Sequence, residues 1–226
     1  MEKYQIAIDG PAGSGKSTVA KLVAKKLSFL YVDTGAMYRA VTLKVLRNQI
    51  NFSDESKIIS LTKQTKITFV KGDKNEQLVF LDDEDVTEAI RMPDVTNTVS
   101  FVARIMGVRK ALVQLQQDFG KDNNVVMEGR DIGSVVFPNA FLKIYLTASI
   151  EERAKRRYEE NRTKGIETDL DTLKSEIAER DLLDSTRKES PLVKVADAVE
   201  VETDKLTAFQ VSDKIIEIFN EKCNEQ

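Results

Sequence analysis

The sequence predicts an α/β fold with three layers, in which a parallel sheet of about five strands lies between helices. Three observations predict it. Short apolar runs suited to buried parallel strands alternate with stretches whose apolar residues recur at helical spacing. A strand leads through a glycine-rich segment into a helix at the start of the chain. Between residues 51 and 91, two runs of alternating apolar and polar residues are joined by a polar loop. They predict a small antiparallel insert between the parallel strands.

The glycine-rich segment, residues 10–17, matches the phosphate-binding loop pattern G-x-x-x-x-G-K-[ST] at every position. Residues 4–8 indicate a strand before it, and the apolar residues after it have helical spacing. A glycine-rich turn without a ligand is the alternative, but the complete match and both flanks favour a P-loop NTPase fold. The predicted nucleotide contacts are Gly10, Pro11, Ala12, Gly13, Ser14, Gly15, Lys16, Ser17 and Thr18.

Each residue type in this loop has a physical role. Glycines let the backbone curl so that successive N–H groups point at an anion, and the helix that follows adds its positive end. Lys16 is placed to reach the terminal phosphates as a mobile charge, and the Ser17 hydroxyl is placed to ligate Mg²⁺. The loop therefore predicts a nucleoside triphosphate with its magnesium ion.

Length and charge restrict the class of protein. A chain of 226 residues forms one substantial core, so we expect a single domain over residues 1–226. The 34 basic and 37 acidic residues give a formal charge of -3, which provides no general electrostatic attraction to nucleic acid or to an anionic membrane. No export signal precedes the first strand, and no apolar run approaches the roughly 20 residues that span a bilayer.

Scarce residue types restrict the chemistry. Cys223 is the one cysteine, and the chain has no histidine. These counts exclude an internal disulfide, catalysis by Ser-His-Asp or Cys-His sets, and histidine-bound zinc. Chemistry by positioned cations and carboxylates remains, and phosphoryl transfer is of that kind. We expect a reducing, cytoplasmic setting.

The second predicted strand, residues 29–32, ends in a polar segment. Asp33 and Thr34 suit the cap of the next helix. Capping does not account for Arg39, which lies about one turn into that helix and is placed to bind a second anion. Because open α/β sheets present ligand contacts at the carboxyl ends of their strands, we expect this segment to face the nucleotide.

Residues 51–119 are predicted to be mostly scaffold. Within the insert, the acidic run 82–85 is expected to be an exposed turn rather than a metal site. Residues 93–119 predict helix interrupted near Gly107. By pattern alone, Ser100 and Arg109 are solvated helix positions.

A buried strand at residues 125–127 ends in the charged residues Glu128, Arg130 and Asp131. A carboxylate at such a strand end is placed to hold Mg²⁺ through water. A chance pairing of strand and acid is the alternative. The density of charge favours a ligand site, because unpaired charges are expensive to bury.

A basic stripe follows the next predicted strand, residues 142–146. Arg153, Arg156 and Arg157 share one helix face, either as functional cations or as members of a solvated, ion-paired surface. Residues 159–171 contain few apolar side chains, which favours a mobile flap.

The following helix carries a second charged face. Arg180, Asp184 and Arg187 lie at i, i+4 and i+7, either as a surface ion-pair ladder or as a ligand site. A last strand at residues 198–201 and an amphipathic final helix complete the predicted fold.

The cations at these positions exceed the needs of one nucleoside triphosphate, and the excess indicates two phosphorylated ligands. Such a layout suits transfer of a γ-phosphoryl group to a second phosphate. An acceptor phosphate is already an anionic nucleophile, so the reaction needs no histidine base.

Four segments resemble the bacterial-type cytidylate kinases, a family of nucleoside monophosphate kinases. They are residues 8–11 leading into the phosphate loop, 33–39 (DTGAMYR), 129–138 (GRDIGSVVFP) and 179–181 (ERD). The phosphate loop is shared by a large superfamily, whereas the GRD-x-G-x-VVFP run and the insert are more selective. The resemblance spans nearly the whole chain and implies a monomeric, Mg²⁺-dependent transfer from ATP to CMP or dCMP.

The resemblance also implies a role for each matched residue. The insert, residues 51–91, would enlarge the monophosphate-binding region, and residues 152–166 would form a lid. The implied catalytic cations are Lys16, Arg130, Arg157 and Arg180. The implied acceptor contacts are Arg39, Arg130 and Arg180 for the phosphate, Asp184 for the ribose with Arg187 nearby, and Thr34, Ser100, Arg109 and Asp131 for cytosine. The implied magnesium ligands are Ser17 and Glu128, the latter standing where many relatives have aspartate.

Two alternatives stay open at this point. A related P-loop kinase would act on another acceptor, such as UMP or AMP. A GTP-dependent, non-catalytic switch would need D-x-x-G and N-K-x-D motifs. The chain has neither, since no glycine has an aspartate three positions before it.

Overall fold

The computed structural model describes residues 3–72, 77–163 and 165–225 of the chain. It divides into two compact units, one formed by Met1–Tyr31 with Phe119–Gln226 and the other by Val32–Asp118. Across the described residues, no helix combines the length and the apolar character needed to cross a membrane.

The secondary structure follows the predicted alternation of strands and helices. The strands are β1 (Gln5–Asp9), β2 (Leu30–Asp33), β3 (Ile67–Lys71), β4 (Gln77–Leu81), β5 (Glu84–Asp85), β6 (Val125–Gly129), β7 (Leu142–Thr147) and β8 (Val199–Glu202). The α-helices are α1 (Lys16–Leu27), α2 (Thr34–Arg47), α3 (Glu55–Lys63), α4 (Pro93–Ala103), α5 (Met106–Asp122), α6 (Ile150–Thr163), α7 (Leu170–Thr186) and α8 (Ala208–Asn224). A 3-10 turn at Ala89–Arg91 and a π-helical turn at Ile132–Val136 are also present.

The larger sheet has the strand order β2-β6-β1-β7-β8. Strand β1 is central and pairs in parallel with β6 and β7, and β8 pairs in parallel with β7. Ile6, Ala7 and Ile8 are fully buried, as expected for a parallel strand covered on both faces. The sheet confirms the predicted α/β fold with about five parallel strands. The first strand lies one residue later than predicted, at Gln5–Asp9.

Helices α1 and α8 pack on the sheet in the first unit. Val19, Val23 and Ile215 join the apolar residues of β1 and β7 in one buried cluster. At the edge of this cluster the Phe219 ring contacts three aromatic rings, with centroid distances of 5.3 to 5.7 Å. These rings belong to Tyr4, Phe29 and Phe141.

Helices α6 and α7 pack against each other through a separate small cluster. Ala154 of α6 and Leu173 and Ile177 of α7 are buried there, with Ile150 packed against them. The side chain of Asp169 caps α7 by accepting a hydrogen bond from the backbone N–H of Thr172. The two helices are therefore held together independently of the sheet.

The second unit contains the predicted antiparallel insert. Strands β3 and β4 pair from Ile67 opposite Leu81 to Lys71 opposite Gln77, which confirms the hairpin. The loop residues 73–76 lie outside the described residues. The acidic run is exposed as predicted, but only its first half is a turn, because Glu84–Asp85 adds a short third strand. No cluster of three or more possible metal ligands occurs there or elsewhere in the described chain.

The predicted interruption of the helix near Gly107 is confirmed, although Gly107 does not itself cause it. Helix α4 ends at Ala103 and α5 begins at Met106, so Gly107 lies inside the second helix. A Cβ atom at Gly107 would lie 2.5 Å from Cδ1 of Ile59 in α3. The glycine therefore permits a close approach of two helices rather than ending one of them.

We predict that Phe219→Ala lowers the free energy of unfolding by about 3–5 kcal/mol, because it removes a buried ring from the aromatic cluster. Phe209 lies in the same helix but is 63% exposed, so Phe209→Ala should change stability by less than about 0.5 kcal/mol. Urea denaturation of both variants measures the difference. Equal effects of the two substitutions would contradict the assignment of Phe219 to the core.

Candidate active site

The phosphate loop connects β1 to α1 and depends on its glycines. Gly13 and Gly15 have φ angles of 76° and 89°, in the left-handed region that favours glycine. A Cβ atom at Gly10 would collide with the carbonyl oxygen of Leu146 at the end of β7. The loop is thus a backbone cradle at a helix N-terminus, and this geometry fits the phosphates of a nucleotide.

Lys16 lies inside this cradle. Its side chain is buried, and its Nζ donates hydrogen bonds to the carbonyl oxygen of Pro11 at 2.7 Å and to Oγ of Ser14 at 3.4 Å. Burial, reinforced by the charge of Arg130 and opposed by that of Glu128, lowers the pKa of Lys16 to about 7. The amine can therefore gain a proton near neutral pH when negative charge arrives. Ser17 and Thr18, at the start of α1, are exposed.

Asp9 connects the end of β1 to the segment that follows β6. Its carboxylate accepts hydrogen bonds from the backbone N–H groups of Ile132 at 2.9 Å and Gly133 at 2.7 Å. Burial raises the pKa of Asp9 to about 6 although these hydrogen bonds and the charge of Lys16 lower it. Sequence reasoning assigned Asp9 no role beyond its place in a motif. The structure shows that it anchors the π-helical turn beside the phosphate loop.

Glu128 is buried near the carboxyl end of β6, and its Oε1 accepts a hydrogen bond of 2.6 Å from the Tyr31 hydroxyl. The hydrogen bond orients the carboxylate. The Glu128 carboxylate and the Ser17 hydroxyl are oxygen donors of the kind that Mg²⁺ takes together with waters and phosphate oxygens.

Four of the predicted acceptor residues lie together in the first unit. Arg130 donates through Nε to Asp184 Oδ2 at 2.8 Å. Arg187 lies 3.9 Å from the Oδ1 atom of Asp184 and 3.8 Å from that of Asp131. All four side chains are at most 19% exposed, so the alternative of a surface ion-pair ladder was wrong.

The charges in this cluster are matched. Burial would raise the pKa of Asp184, but the positive charges of Arg130, Arg180 and Arg187 lower it below its usual range. Burial likewise disfavours the charged form of Arg130, yet Asp184 and other carboxylates raise its pKa above the usual value. Asp184 and Arg130 are therefore both ionised at neutral pH.

Arg187 lies beside Asp184 and Asp131 because of the turn that follows α7, which helical spacing did not predict. Helix α7 ends at Thr186, and Arg187 is the residue after it. Its Nε donates a hydrogen bond of 2.6 Å to the carbonyl oxygen of Ser190, a residue with a φ angle of 49°. The turn after the helix, and not the helix face, fixes this guanidinium.

In the second unit, Asp33 has two functions. It caps α2 by accepting a hydrogen bond from the N–H of Ala36, and it accepts a second one from Arg39 Nη2 at 3.0 Å. The cap thus does account for the direction of Arg39, contrary to the interpretation from sequence. Arg39 Nε is buried without a hydrogen-bond partner among the described residues. Thr34 is buried at the first position of the helix.

Arg109 is buried, with 3% of its surface exposed, so the pattern-based interpretation as a solvated residue was wrong. Its Nη1 donates to the carbonyl oxygen of Ala103 at 3.0 Å, and its guanidinium lies 5.3 Å from the centroid of the Tyr38 ring. Helical periodicity predicts that an arginine at this position faces solvent. Here the guanidinium instead lies over the Tyr38 ring and binds the last carbonyl of α4. Ser100 is half-buried.

The basic stripe of α6 does not act as one surface. Arg153 is buried, with 6% exposure, so it is not a solvated residue. Arg156 is half-buried and bonds to Glu152 and Thr203. Arg157 lies 3.3 Å from a carboxylate oxygen of Glu160 with its side chain 41% exposed. Lys164, beyond this helix, lies outside the described residues.

Comparison with known proteins identifies the family of this chain. A family model described as "Cytidylate kinase" matches residues 6–221. A cytidylate kinase of Enterococcus faecalis is 54% identical over 222 residues, which cover 98% of each chain. A cytidylate kinase of Listeria monocytogenes is 55% identical over 223 residues, 99% of each chain.

The fold has a counterpart among solved structures. A crystal structure of an uncharacterized protein from Eubacterium ventriosum covers 97% of this chain and 99% of its own, with a TM-score of 0.54 at 12% identity. That likeness concerns the fold alone. The family model and the relatives concern nearly the whole length, so the chain belongs to the cytidylate kinase family.

Proposed function

We propose that this protein transfers the γ-phosphoryl group of ATP to CMP or dCMP, giving ADP and CDP or dCDP. One observation carries the proposal: the unit that forms the phosphate loop also holds the buried cluster of Arg130, Asp184 and Arg187. Cations buried with fixed partners are suited to a second phosphorylated ligand. Membership of the cytidylate kinase family supports CMP or dCMP as that ligand.

The donor half of the reaction rests on the phosphate loop. Backbone N–H groups of the loop bind the phosphates of ATP, and Lys16 neutralises charge on the group that is transferred. Mg²⁺, held by Ser17 and Glu128 with phosphate oxygens, supplies further neutralisation when bound. Glu128 serves in place of the aspartate of many relatives because Tyr31 orients its longer side chain.

The acceptor half needs positioning rather than proton transfer. Arg130 and Arg180 hold the acceptor phosphate, whose oxygen is already a nucleophile, and Asp184 binds the ribose with Arg187 close by. Asp131 contacts the cytosine. These roles follow from the family resemblance, and the burial and the fixed partners of Arg130 and Asp184 support them.

The second unit contributes the remaining proposed contacts. Arg39 binds the acceptor phosphate, and the bound Asp33 carboxylate orients it. Thr34, Ser100 and Arg109 recognise cytosine, whose exocyclic amine and ring carbonyl require an acceptor and a donor.

Two segments remain proposals from the resemblance. Residues 51–91 enlarge the monophosphate-binding region of a single kinase core that spans residues 1–226. Residues 152–166 form a lid that excludes water, with Arg157 as its catalytic cation. A monomer, a cytoplasmic setting and no nucleic-acid partner stay predictions.

The experiment that tests the function is an assay of diphosphate formation by the purified protein with Mg-ATP. CMP, dCMP, UMP, AMP and GMP are compared with no acceptor. We expect fast turnover with CMP and dCMP only. Fast turnover with UMP or AMP instead would favour a kinase of another acceptor, and slow ATP loss without any transfer would favour a nucleotide-binding switch.

The acceptor site is tested by Arg180→Ala. Loss of a charge-assisted contact to phosphate costs about 1.5–3 kcal/mol, so we expect the KM for CMP to rise roughly 10- to 150-fold. The KM for ATP should change much less. Lys174→Ala is the matched control on the same helix, since Lys174 pairs only with the exposed Asp171 among the contacts described for it. Unchanged CMP kinetics in Arg180→Ala would contradict the assignment.

The low pKa of Lys16 predicts proton uptake when ATP binds. Since its pKa in the free protein is about 7, Lys16 is mostly neutral at pH 8, and the negative charge of ATP favours the protonated form. We expect uptake of up to about one proton per ATP at pH 8. Titration calorimetry in two buffers of different ionisation enthalpy measures it. Lys16→Arg keeps a permanent charge, so its uptake should vanish, and equal uptake in both proteins would contradict the prediction.

A further inference from the structure

Arg153 has a different environment from the other arginines of α6. Its Nε donates to the carbonyl oxygen of Ala148 at 3.0 Å, which fixes the side chain against the start of its own helix. Its Nη1 donates to the carbonyl oxygen of Ala12 at 3.0 Å and to Asp181 Oδ2 at 2.5 Å. One buried guanidinium therefore joins the phosphate loop to α7.

The backbone of α6 also lies directly on the phosphate loop. A Cβ atom at Gly13 would lie 3.1 Å from the Cβ of Arg153 and 3.4 Å from its carbonyl oxygen. The distance of 3.1 Å is shorter than ordinary van der Waals contact, so no space for a methyl group remains between the loop and the first turn of α6. A shift of α6 is consequently transmitted to the loop.

Asp181 completes the connection on the side of α7. It lies between Arg180 and Asp184, the two α7 residues proposed to contact the acceptor. Its Oδ2 pairs with Arg153, whereas its Oδ1 is buried with no hydrogen-bond partner among the described residues. Because Oδ1 has no such partner, the hydrogen bond from Arg153 to Oδ2 fixes the position of the Asp181 carboxylate.

The helices that carry the pair pack directly against each other. Ala154, Leu173 and Ile177 form a buried apolar cluster between α6 and α7. The negative charge of Asp181 also reaches Arg130, the proposed acceptor ligand, and favours its charged form. The position of Asp181 therefore affects both Arg153 at the phosphate loop and Arg130 at the proposed acceptor site.

We propose that Arg153 and Asp181 are a positioning pair that couples ATP binding to CMP binding, an inference that rests on the proposed function. A ligand at the phosphate loop fixes Ala12 and Gly13, and Arg153 passes this order to α7. A second ligand then meets residues that are already ordered, which lowers the cost of its binding. Without such a connection, the two phosphorylated ligands would mainly repel each other.

The test compares binding of the non-hydrolysable donor β,γ-imido-ATP, with Mg²⁺, in the absence and presence of saturating CMP. In the wild-type protein we expect CMP to tighten analogue binding by a factor within the usual range of roughly 5- to 150-fold. Asp181→Asn keeps the shape and an acceptor oxygen but removes the charge. We expect it to reduce the factor to less than about twofold, with thermal unfolding still cooperative and CMP still bound alone.

Arg153→Lys is the second variant. A lysine keeps the charge, but its single ammonium cannot replace a planar fork that reaches Ala148, Ala12 and Asp181 together. Arg153→Lys should reduce the factor by which CMP tightens analogue binding as much as Asp181→Asn does. The double variant should reduce this factor no further than either single variant. Glu176→Gln removes a carboxylate from an exposed position of α7 and should keep the wild-type factor.

The outcomes separate this proposal from the proposed function. Wild-type coupling that persists in both Asp181→Asn and Arg153→Lys would overturn the positioning pair while leaving the kinase activity in place. Independent binding of the two ligands to the wild type would do the same. A wild-type protein that binds no CMP would overturn the proposed function, and the coupling with it.

Discussion

The constraint on which this molecule depends is the burial of many charged groups at the carboxyl ends of β1 and β6. Burial lowers the pKa of Lys16 to about 7 and raises that of Asp9 to about 6, so the cost of desolvation is large at both groups. A protein tolerates this cost only when each charge has a fixed partner. The backbone around these strand ends is arranged to supply such partners.

The partners are specific. Two backbone N–H groups bind Asp9, the Tyr31 hydroxyl binds Glu128, and Arg130 binds Asp184. Each hydrogen bond fixes the direction of a side chain before any ligand arrives. In a phosphoryl transfer the enzyme mainly aligns and neutralises, so groups that are already oriented need little rearrangement during the reaction. The absence of histidine is no handicap for this chemistry.

The sequence predicted the fold and the phosphate loop because both follow from local pattern. Apolar runs mark buried strands, and the loop motif specifies backbone geometry directly. The errors concern residues whose environment is set by distant parts of the chain. The helix break predicted near Gly107 is present at residues 104–105, but the role of the glycine, which makes room for Ile59, was not predicted. Arg109 was placed in solvent, yet Tyr38 covers it, because periodicity carries no information about a partner 71 positions away.

Arg153 shows the same limit within the site. Three arginines with helical spacing looked equivalent, and only the fold reveals that one of them is enclosed by the phosphate loop and α7. The two principal hydrogen-bond partners of Arg153 require different properties of the side chain at this position. The carbonyl of Ala12 needs a hydrogen-bond donor, whereas the half-buried carboxylate of Asp181 is best matched by a positive charge.

A neutral donor at position 153 would lack the charge that matches Asp181, and a lysine would lack the planar set of donors that reaches Ala148, Ala12 and Asp181 together. Arg130 is held in the same way, because its Nε binds Asp184 and its Nη1 binds the carbonyl oxygen of Gly129. At both positions one arginine pairs with a carboxylate and a backbone carbonyl at the same time.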